Sequence, residues 1–202
     1  MNTDSDLSPV RIVEIGADDL DRYARIPIRF TVRSLLRVEP VEGGMGGLRL
    51  IEEAVTPPYV KDYDADESPI DWPKQFDTRR WVFFLALNGA HSPLGAAAVA
   101  YDTPGVNMLE ARRDLAVLWD IRVHPDARGR GLGRRLFARA VDWARARSCR
   151  QLKIETQNVN VGACRFYRRM GCELGAIHRY GYAAHPDAAH EAMLLWYLDL
   201  TS

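Results

Sequence analysis

Apolar and polar residues follow two different periods after residue 80, and these periods predict strands and helices in turn. Residues 81–87 and 94–101 are short apolar runs joined by the turn-rich residues 88–93, which is typical of a β-hairpin. Residues 115–123 form a third apolar run and predict another strand. Between 134 and 145 apolar residues recur at helical spacing while arginines occupy the other face, which predicts an amphipathic helix.

The last third of the chain continues this alternation. Residues 152–156 predict a strand, and Asn160 is placed to cap a second helix that ends at Gly171. Residues 172–177 and 192–200 predict two closing strands. A hairpin followed by strand, helix, strand, helix, strand and strand predicts an α/β layer fold with a mixed sheet, of the α+β kind.

The first 79 residues give weaker signals. Residues 17–26 predict a short helix, and the extended patterns at 28–32 and 48–51 predict a strand pair around the glycine-rich residues 43–47. Residues 56–79 contain four prolines and show neither period, so we expect a loop there.

Composition limits the classes of protein to which the chain can belong. Its 202 residues fit one domain, 47% of them are apolar, and 27 basic residues balance 27 acidic ones. Zero net charge gives no global reason to bind nucleic acid or an anionic membrane. The apolar runs are far shorter than the ~20 residues of a membrane helix, and the acidic start has no apolar core for a signal peptide, so we expect a cytoplasmic protein.

The cysteines and histidines do not predict a metal site. Cys149, Cys164 and Cys172 are odd in number and lack paired metal-ligand spacing, so we expect neither a disulfide framework nor zinc. The five histidines are scattered without paired spacing, and we assign none of them a role.

The segment 128–133, with the sequence RGRGLG, lies between a predicted strand and the basic helix. Glycines let the backbone approach a ligand closely, and free amides at a helix N-terminus attract phosphate oxygens. Eight arginines between 128 and 150 concentrate positive charge in the same region. A phosphorylated ligand fits this turn, although a tight turn followed by a solvated arginine face would leave the same pattern.

The segment 128–133 does not match either of two common phosphate-binding loops. A Walker loop needs Lys followed by Ser or Thr after its last glycine, whereas Gly133 is followed by Arg134, so an ATP or GTP hydrolase is disfavoured. The dinucleotide fingerprint needs a glycine three residues after Gly131, and that position is also Arg134.

The spacing of residues in this turn and in the following helix region instead resembles the sequence pattern of the GNAT superfamily of acyl-CoA-dependent N-acyltransferases. The residues that match its pyrophosphate loop are Arg128, Gly131 and Gly133, and those that match the second half of its pattern are Asn160, Ala163, Tyr167 and Gly171. Within the superfamily the chain is most similar to the streptothricin acetyltransferase group, over about residues 57–200. The segments that carry this likeness are 58–63, 120–121, 155–157, 163–164 and 195–197.

The resemblance implies a single N-acetyltransferase domain over residues 1–202. Its CoA-binding core would span about 80–200, and residues 1–79 would supply N-terminal strands, a short helix and an acceptor-side loop. It also implies a central mixed sheet flanked by helices, in which a splayed strand pair holds acyl-CoA. The cosubstrate is then acetyl-CoA, and no metal is expected. The residues expected to contact it are Ile121, Val123, Arg128, Gly129, Arg130, Gly131, Leu132, Gly133, Arg134, Asn160, Ala163 and Tyr167.

Acetyl transfer to an amine needs a proton acceptor and a proton donor. An aliphatic ammonium has an ordinary pKa near ~10.4, so a carboxylate helps to remove its proton. Asp120 is our first choice because it lies on the strand that leads into the CoA loop, and a buried, satisfied Asp is the alternative. Glu155 is a second candidate base or an anchor for the acceptor, unless it is a solvated strand charge. Trp119 precedes Asp120 where the resemblance leads us to expect a Glu.

Tyr167 can give a proton to the departing thiolate, or it can be a core aromatic at helical spacing. Cys164 lies beside these residues in the pattern, and we interpret it as pocket lining rather than as a nucleophile. We therefore expect direct transfer in a ternary complex.

The acceptor-side loop is acidic. Asp62 and Asp64, with Glu155, are our candidates for binding a small polycationic amine, such as a streptothricin-type antibiotic; a solvated acidic face is the alternative. Two other functions share the CoA residues: a protein N-terminal or lysine acetyltransferase, and a non-catalytic acyl-CoA-sensing module. We expect no nucleic-acid or membrane partner and leave a homodimer open.

Overall fold

The computed structural model describes residues 10–201, and within them helices and strands alternate in a mixed α/β fold. The strands are β1 (Arg11–Ile15), β2 (Phe30–Pro40), β3 (Leu48–Lys61), β4 (Val82–Leu87), β5 (Pro93–Tyr101), β6 (Leu115–Val123), β7 (Gln151–Gln157), β8 (Glu173–His178) and β9 (Met193–Asp199). The α-helices are α1 (Leu20–Ala24), α2 (Trp72–Gln75), α3 (Leu132–Arg145) and α4 (Val161–Arg169). Residues 1–9, the first part of the acidic start in which no signal peptide was expected, and residue 202 lie outside the described residues.

The described residues form two compact units. The first contains residues 10–29, 62–152 and 199–201. Its strands follow the order β1-β4-β5-β6, and each neighbouring pair is antiparallel. The fully buried strand β4 and the alanine-rich strand β5 form the centre of this sheet.

Successive side chains of a strand point to opposite faces of the sheet, and both faces of this sheet are buried along β4. Phe83 and Leu85 pack with Tyr23 of α1 and Trp72 of α2 in one apolar cluster. Phe84 points to the opposite face, where Arg139 of α3 lies over its ring at 5.4 Å. The short helices and the long helix therefore flank opposite faces of the sheet.

A β-bulge interrupts β6 in the middle of this sheet. The register passes from Ala98 opposite Asp120 to Val99 opposite Leu118, so Trp119 is the extra residue. Trp119 packs against the α1-side cluster, and the next residue, Asp120, is hydrogen-bonded to Tyr23 of that same cluster. The bulge thus places two consecutive side chains, Trp119 and Asp120, on the same face of the sheet, which a regular strand would not allow.

The second unit contains residues 30–61 and 153–198. It contains the long antiparallel pair β2–β3 and the strand order β7-β9-β8, in which β8 and β9 are antiparallel. Its helix, α4, begins after Asn160, whose side-chain oxygen accepts a hydrogen bond from the Ala163 amide at 3.1 Å. The helix ends before Gly171, which adopts a positive φ of 88°.

The structure confirms the mixed α/β fold and corrects the loop expected at residues 56–79. Residues 56–61 were expected in a loop because of their prolines, but they belong to β3. The register jumps from Val32 opposite Tyr59 to Ser34 opposite Ala54, so Pro57 and Pro58 fall within a bulge where a proline removes no ladder hydrogen bond. The single domain and the splayed strand pair stay predictions.

Candidate active site

The glycine-rich turn ends where α3 begins. Gly129 and Gly131 have positive φ angles of 76° and 80°, and Gly131 is the N-cap residue. A Cβ at either position would meet no atom within 4 Å, so backbone conformation rather than space makes glycine favourable there. The amides of the first turn of α3 are available to an anion, because an α-helix leaves its first N–H groups without intrahelical acceptors.

The arginines of this turn differ in their surroundings. Arg128 donates from Nε to the carbonyl of Val123 at 2.9 Å, so its guanidinium braces the end of β6 against the turn. Arg130 and Arg134 are exposed. The turn therefore combines preoriented amides with exposed positive side chains, an arrangement that suits a pyrophosphate.

The end of β6 carries two of the expected CoA contacts. Ile121 and Val123 are half-buried and pair with Ala97 and Gly95 of β5. Their contact with a pantetheine arm stays a prediction.

A buried ionic network occupies the α1 side of β6. Tyr23 donates its hydroxyl proton to Asp120 Oδ1 at 2.6 Å, and Arg122 donates to both oxygens of Asp120, from Nε at 3.0 Å and from Nη2 at 2.8 Å. Arg122 Nη1 also reaches both oxygens of Asp64, at 2.9 and 3.1 Å, and the carbonyl of Ile26 at 3.0 Å. The side chain of Arg122 is 2% exposed and that of Asp120 is 7% exposed.

This network fixes the charge states of Tyr23 and Arg122. Burial first, and then the charge of Asp120, raise the pKa of Tyr23 well above its ordinary value, so the phenol stays protonated. Burial alone would lower the pKa of Arg122, but Asp120 and Asp64 raise it, so the guanidinium stays charged. Asp120 thus lies in a saturated ion pair, and its role as the catalytic base stays a prediction.

The two acceptor-side aspartates have local partners in the first unit. Asp62 accepts a hydrogen bond from the amide of Asp64 at 3.2 Å and caps a short 3₁₀ turn, while Asp64 belongs to the Arg122 network. The binding of an acceptor by either residue stays a prediction.

Glu67 follows on the same segment, and the sequence analysis did not single it out. Its Oε1 is buried and has no hydrogen-bond partner among residues 10–201. Burial first, and then repulsion from Asp120 and Asp71, raise the pKa of its carboxyl group, while a hydrogen bond from Trp72 opposes the rise. No sequence pattern distinguishes Glu67 from the neighbouring acids, so only the fold could reveal it.

An aromatic cluster adjoins these acids. Trp72 lies edge-on to Tyr23 with ring centroids 5.5 Å apart, and Trp119 packs against Trp81 at 5.1 Å and against Phe76 at 5.2 Å. Trp119, at the position where an acid was expected, is therefore part of this aromatic cluster.

In the second unit, α4 and β7 carry the other residues expected to bind the cofactor or to take part in catalysis. Asn160 and Ala163 form the helix cap, and Tyr167 is 5% exposed with its ring centroid 5.2 Å from that of Phe166. Glu155 on β7 accepts a hydrogen bond from the Tyr182 hydroxyl at 2.6 Å. The roles of these four sequence-predicted residues in cofactor binding and catalysis stay predictions.

The thiols are not activated. Cys164 lies 3.4 Å from the hydroxyl oxygen of Thr156, and burial raises its pKa. Burial raises the pKa of Cys149 to about 11 and that of Cys172 to about 12. A buried, protonated thiol is a poor nucleophile.

Residues 10–201 contain no group of three or more His, Cys, Asp or Glu side chains placed to hold a metal ion. No helix in this range is both long and apolar enough to span a membrane.

Comparison with known proteins identifies the relatives of the chain. The sequence profile of the Acetyltransferase (GNAT) family matches residues 48–172. Streptothricin acetyltransferase from Streptomyces lavendulae is 33% identical over 167 residues, which are 79% of this chain and 81% of that protein.

Two solved structures have the same fold over nearly the whole chain. Nourseothricin acetyltransferase has a TM-score of 0.75 at 27% identity, with 95% of this chain and 98% of that chain covered. A structure from Bacillus anthracis strain Ames, assigned as a streptothricin acetyltransferase and solved with acetyl coenzyme A, has a TM-score of 0.73 at 26% identity, with 94% and 99% covered.

Proposed function

The chain belongs to the acetyltransferase (GNAT) family and is an N-acetyltransferase, and on this premise we propose that its acceptor is a small polycationic amine of the streptothricin type. The observation that carries this proposal is the 33% identity to streptothricin acetyltransferase along 79% of the chain. The acidic segment 62–71 supports it, since carboxylates attract cationic acceptors.

Acetyl-CoA is the acetyl donor in this proposal. The amides at the start of α3 bind the pyrophosphate, and Arg130 and Arg134 add positive charge. The backbone of Ile121 and Val123 pairs with the pantetheine arm. The α4 residues Asn160 and Ala163 contact the same arm.

The chemistry is direct transfer from acetyl-CoA to the amine. The neutral amine attacks the thioester carbonyl carbon, the tetrahedral intermediate collapses, and the C–S bond breaks. Tyr167 gives a proton to the departing thiolate. The buried cysteines with raised pKa values support transfer without an acyl-enzyme.

The acceptor is tested by incubating purified protein with acetyl-CoA and streptothricin and measuring the acetylated product by mass spectrometry. A peptide with a free N-terminus and a lysine peptide with a blocked N-terminus are the competing acceptors. We expect streptothricin to have the largest kcat/KM. A larger kcat/KM for either peptide would replace the proposal with a protein acetyltransferase.

Tyr167→Phe tests the proton donor. We expect kcat to fall by ~10² to 10⁴-fold, the usual contribution of a general acid, while the Kd for acetyl-CoA stays close to that of the wild type. Tyr180→Phe is the matched control, because Tyr180 is 68% exposed and loses the same hydroxyl group. Equal kcat values for the two variants would make Tyr167 a packing residue.

A further inference from the structure

The proposed reaction leaves one proton without an assigned acceptor. An aliphatic ammonium has to lose a proton before its nitrogen can attack the thioester. In the first unit, the carboxylates near the bulged part of β6 are Asp64, Asp120 and Glu67. Because the proposed function is the acetylation of an amine, one of these groups is expected to take the proton.

Asp64 and Asp120 are poorly suited to this step. Arg122 donates to both oxygens of each carboxylate, and Tyr23 adds a second donor to Asp120. A proton that arrived on Asp120 would have to displace one of these charge-assisted hydrogen bonds and leave the buried Arg122 with less compensation. Neither carboxylate therefore has an oxygen atom that is free of hydrogen bonds from Arg122.

Glu67 differs from both in the state of its oxygen atoms. Its Oε1 is buried and has no hydrogen-bond donor among residues 10–201, so a proton could bind there without breaking an existing hydrogen bond. Its place relative to β6 is fixed by Trp72, which faces the Glu67 carboxylate and packs edge-on against Tyr23, the hydrogen-bond donor to Asp120.

Electrostatics act in the same direction. The charged and titratable groups that bear on Glu67 are Asp120 on β6 and Asp71 in the turn before α2. Asp120 is paired with Arg122, and Asp71 is paired with Lys74 at 2.6 Å. The remaining repulsion, added to burial, raises the pKa of Glu67, which makes it a better proton acceptor than an ordinary carboxylate.

We propose that Glu67 is the general base of the reaction and that Trp72, which packs against Tyr23 of the Arg122 network, positions it. The ammonium of the acceptor gives one proton to Oε1, and the resulting amine nitrogen forms the new bond to the carbonyl carbon. When the C–S bond breaks, the electron pair stays on sulfur and Tyr167 protonates the thiolate. The second amine proton then restores the Tyr167 hydroxyl group. The products are the amide, CoA thiol and one proton, which Glu67 releases to water.

Glu67→Gln is the main test, because it keeps the shape of the side chain and removes the base. We expect kcat/KM for streptothricin at pH 7 to fall by ~10² to 10⁴-fold while calorimetry gives an unchanged Kd for acetyl-CoA. Glu173→Gln, the same change at an exposed position on β8, is the control and is expected to keep wild-type kcat/KM. A Glu67→Gln rate within threefold of that of the control would overturn the proposal.

The pH profile separates a base from a packing or charge effect. In the wild type, kcat/KM is expected to become level above the raised pKa of Glu67, because ionised Glu67 works on the abundant ammonium. In Glu67→Gln the enzyme depends on free amine, so kcat/KM should rise about tenfold per pH unit. Parallel profiles in the two proteins would mean that Glu67 does not take the proton.

A conservative variant covers the case in which Glu67→Gln fails to fold. Glu67→Asp keeps the carboxylate and should retain a level profile at a reduced kcat. If neither variant folds, the wild type decides, since a wild-type kcat/KM that already rises tenfold per pH unit would rule out an enzymatic base.

The outcomes also distinguish this proposal from the proposed function. If the wild type acetylates streptothricin and Glu67→Gln does so equally well, only the inference about Glu67 fails. If the wild type ignores streptothricin but acetylates spermidine through Glu67, only the proposed acceptor fails. A wild type that acetylates neither amine overturns both.

Discussion

A buried ionic network and a buried ion pair show how individual charged residues affect the stability of this chain. In the first unit, Arg122 balances Asp120 and Asp64. In the second unit, Lys61 at the end of β3 is paired with Glu191, and Lys61 Nζ lies 2.7 Å from Glu191 Oε1. The Glu191 side chain is 1% exposed, so its charge depends on the lysine partner far more than a surface charge would.

Removing the lysine should therefore cost more than removing a typical surface charge. We expect Lys61→Ala to lower the free energy of unfolding by about 3–5 kcal/mol, because Glu191 is left buried and uncompensated. Urea denaturation measures this change. Arg79→Ala, which breaks an exposed ion pair with Asp77, should have little effect.

The double variant Lys61→Met with Glu191→Leu separates the loss of the pair from the loss of packing. Since both charges are removed together, we expect its stability to lie closer to that of the wild type than that of Lys61→Ala. A double variant as unstable as Lys61→Ala would mean that packing, and not the uncompensated charge, dominates.

Some of this residue-scale detail had a signal in the sequence. Asp120 and Arg122 are two residues apart on an otherwise apolar strand, so they share a face, and such a pair is more stable buried together than apart. Asp64 and Tyr23 complete the network from distant parts of the chain, and nothing local predicts their approach. For the same reason Glu67 could not be distinguished from the neighbouring acids.

At the scale of elements, prediction succeeded where one period dominated. The hairpin β4–β5, strand β6 and helix α3 follow clear periods and formed where they were expected. The pair β2–β3 was predicted too short. At the end of β3 the reason is a bulge that contains two prolines, whose local pattern is typical of a loop. Segment 62–80 folds as short turns and the four-residue helix α2, which are held by Trp72 packing rather than by any period.

The turn before α3 gives a test at this scale. Gly131→Asp places a negative charge at the amides proposed to bind the pyrophosphate, so the Kd for acetyl-CoA should rise by ~10-fold or more, which corresponds to ~1.4 kcal/mol. Gly131→Asn is the control, because asparagine has the same size and tolerates a positive φ without adding charge. Calorimetry compares the two variants, and equal Kd values would place the pyrophosphate elsewhere.

At the scale of the whole molecule, a zero formal charge conceals two local excesses of opposite sign. Eight arginines lie between residues 128 and 150, and five acids lie between 62 and 71. The structure changes what the acids can do: Asp64 is engaged by Arg122 and Asp71 by Lys74, while Asp62 is half-buried and Asp66 is exposed. Attraction of a cationic acceptor should therefore depend on Asp62 and Asp66 rather than on the segment as a whole.

This distribution predicts a salt dependence that depends on the acceptor. Because the Debye length is ~10 Å at 0.1 M, kcat/KM for a polycationic amine should fall as salt rises. Because the net charge is zero, a monoamine should show a much smaller response.

The double variant Asp62→Asn with Asp66→Asn should raise KM for the polycation and flatten its salt dependence, with kcat and the Kd for acetyl-CoA unchanged. Asparagine at position 62 can still accept the hydrogen bond from the Asp64 amide, so the turn should be preserved. Steady-state kinetics at several salt concentrations, with a polyamine and a monoamine, measure these effects. An undiminished salt response in the double variant would place the attraction on other acids, and Glu155 would be the first to replace next.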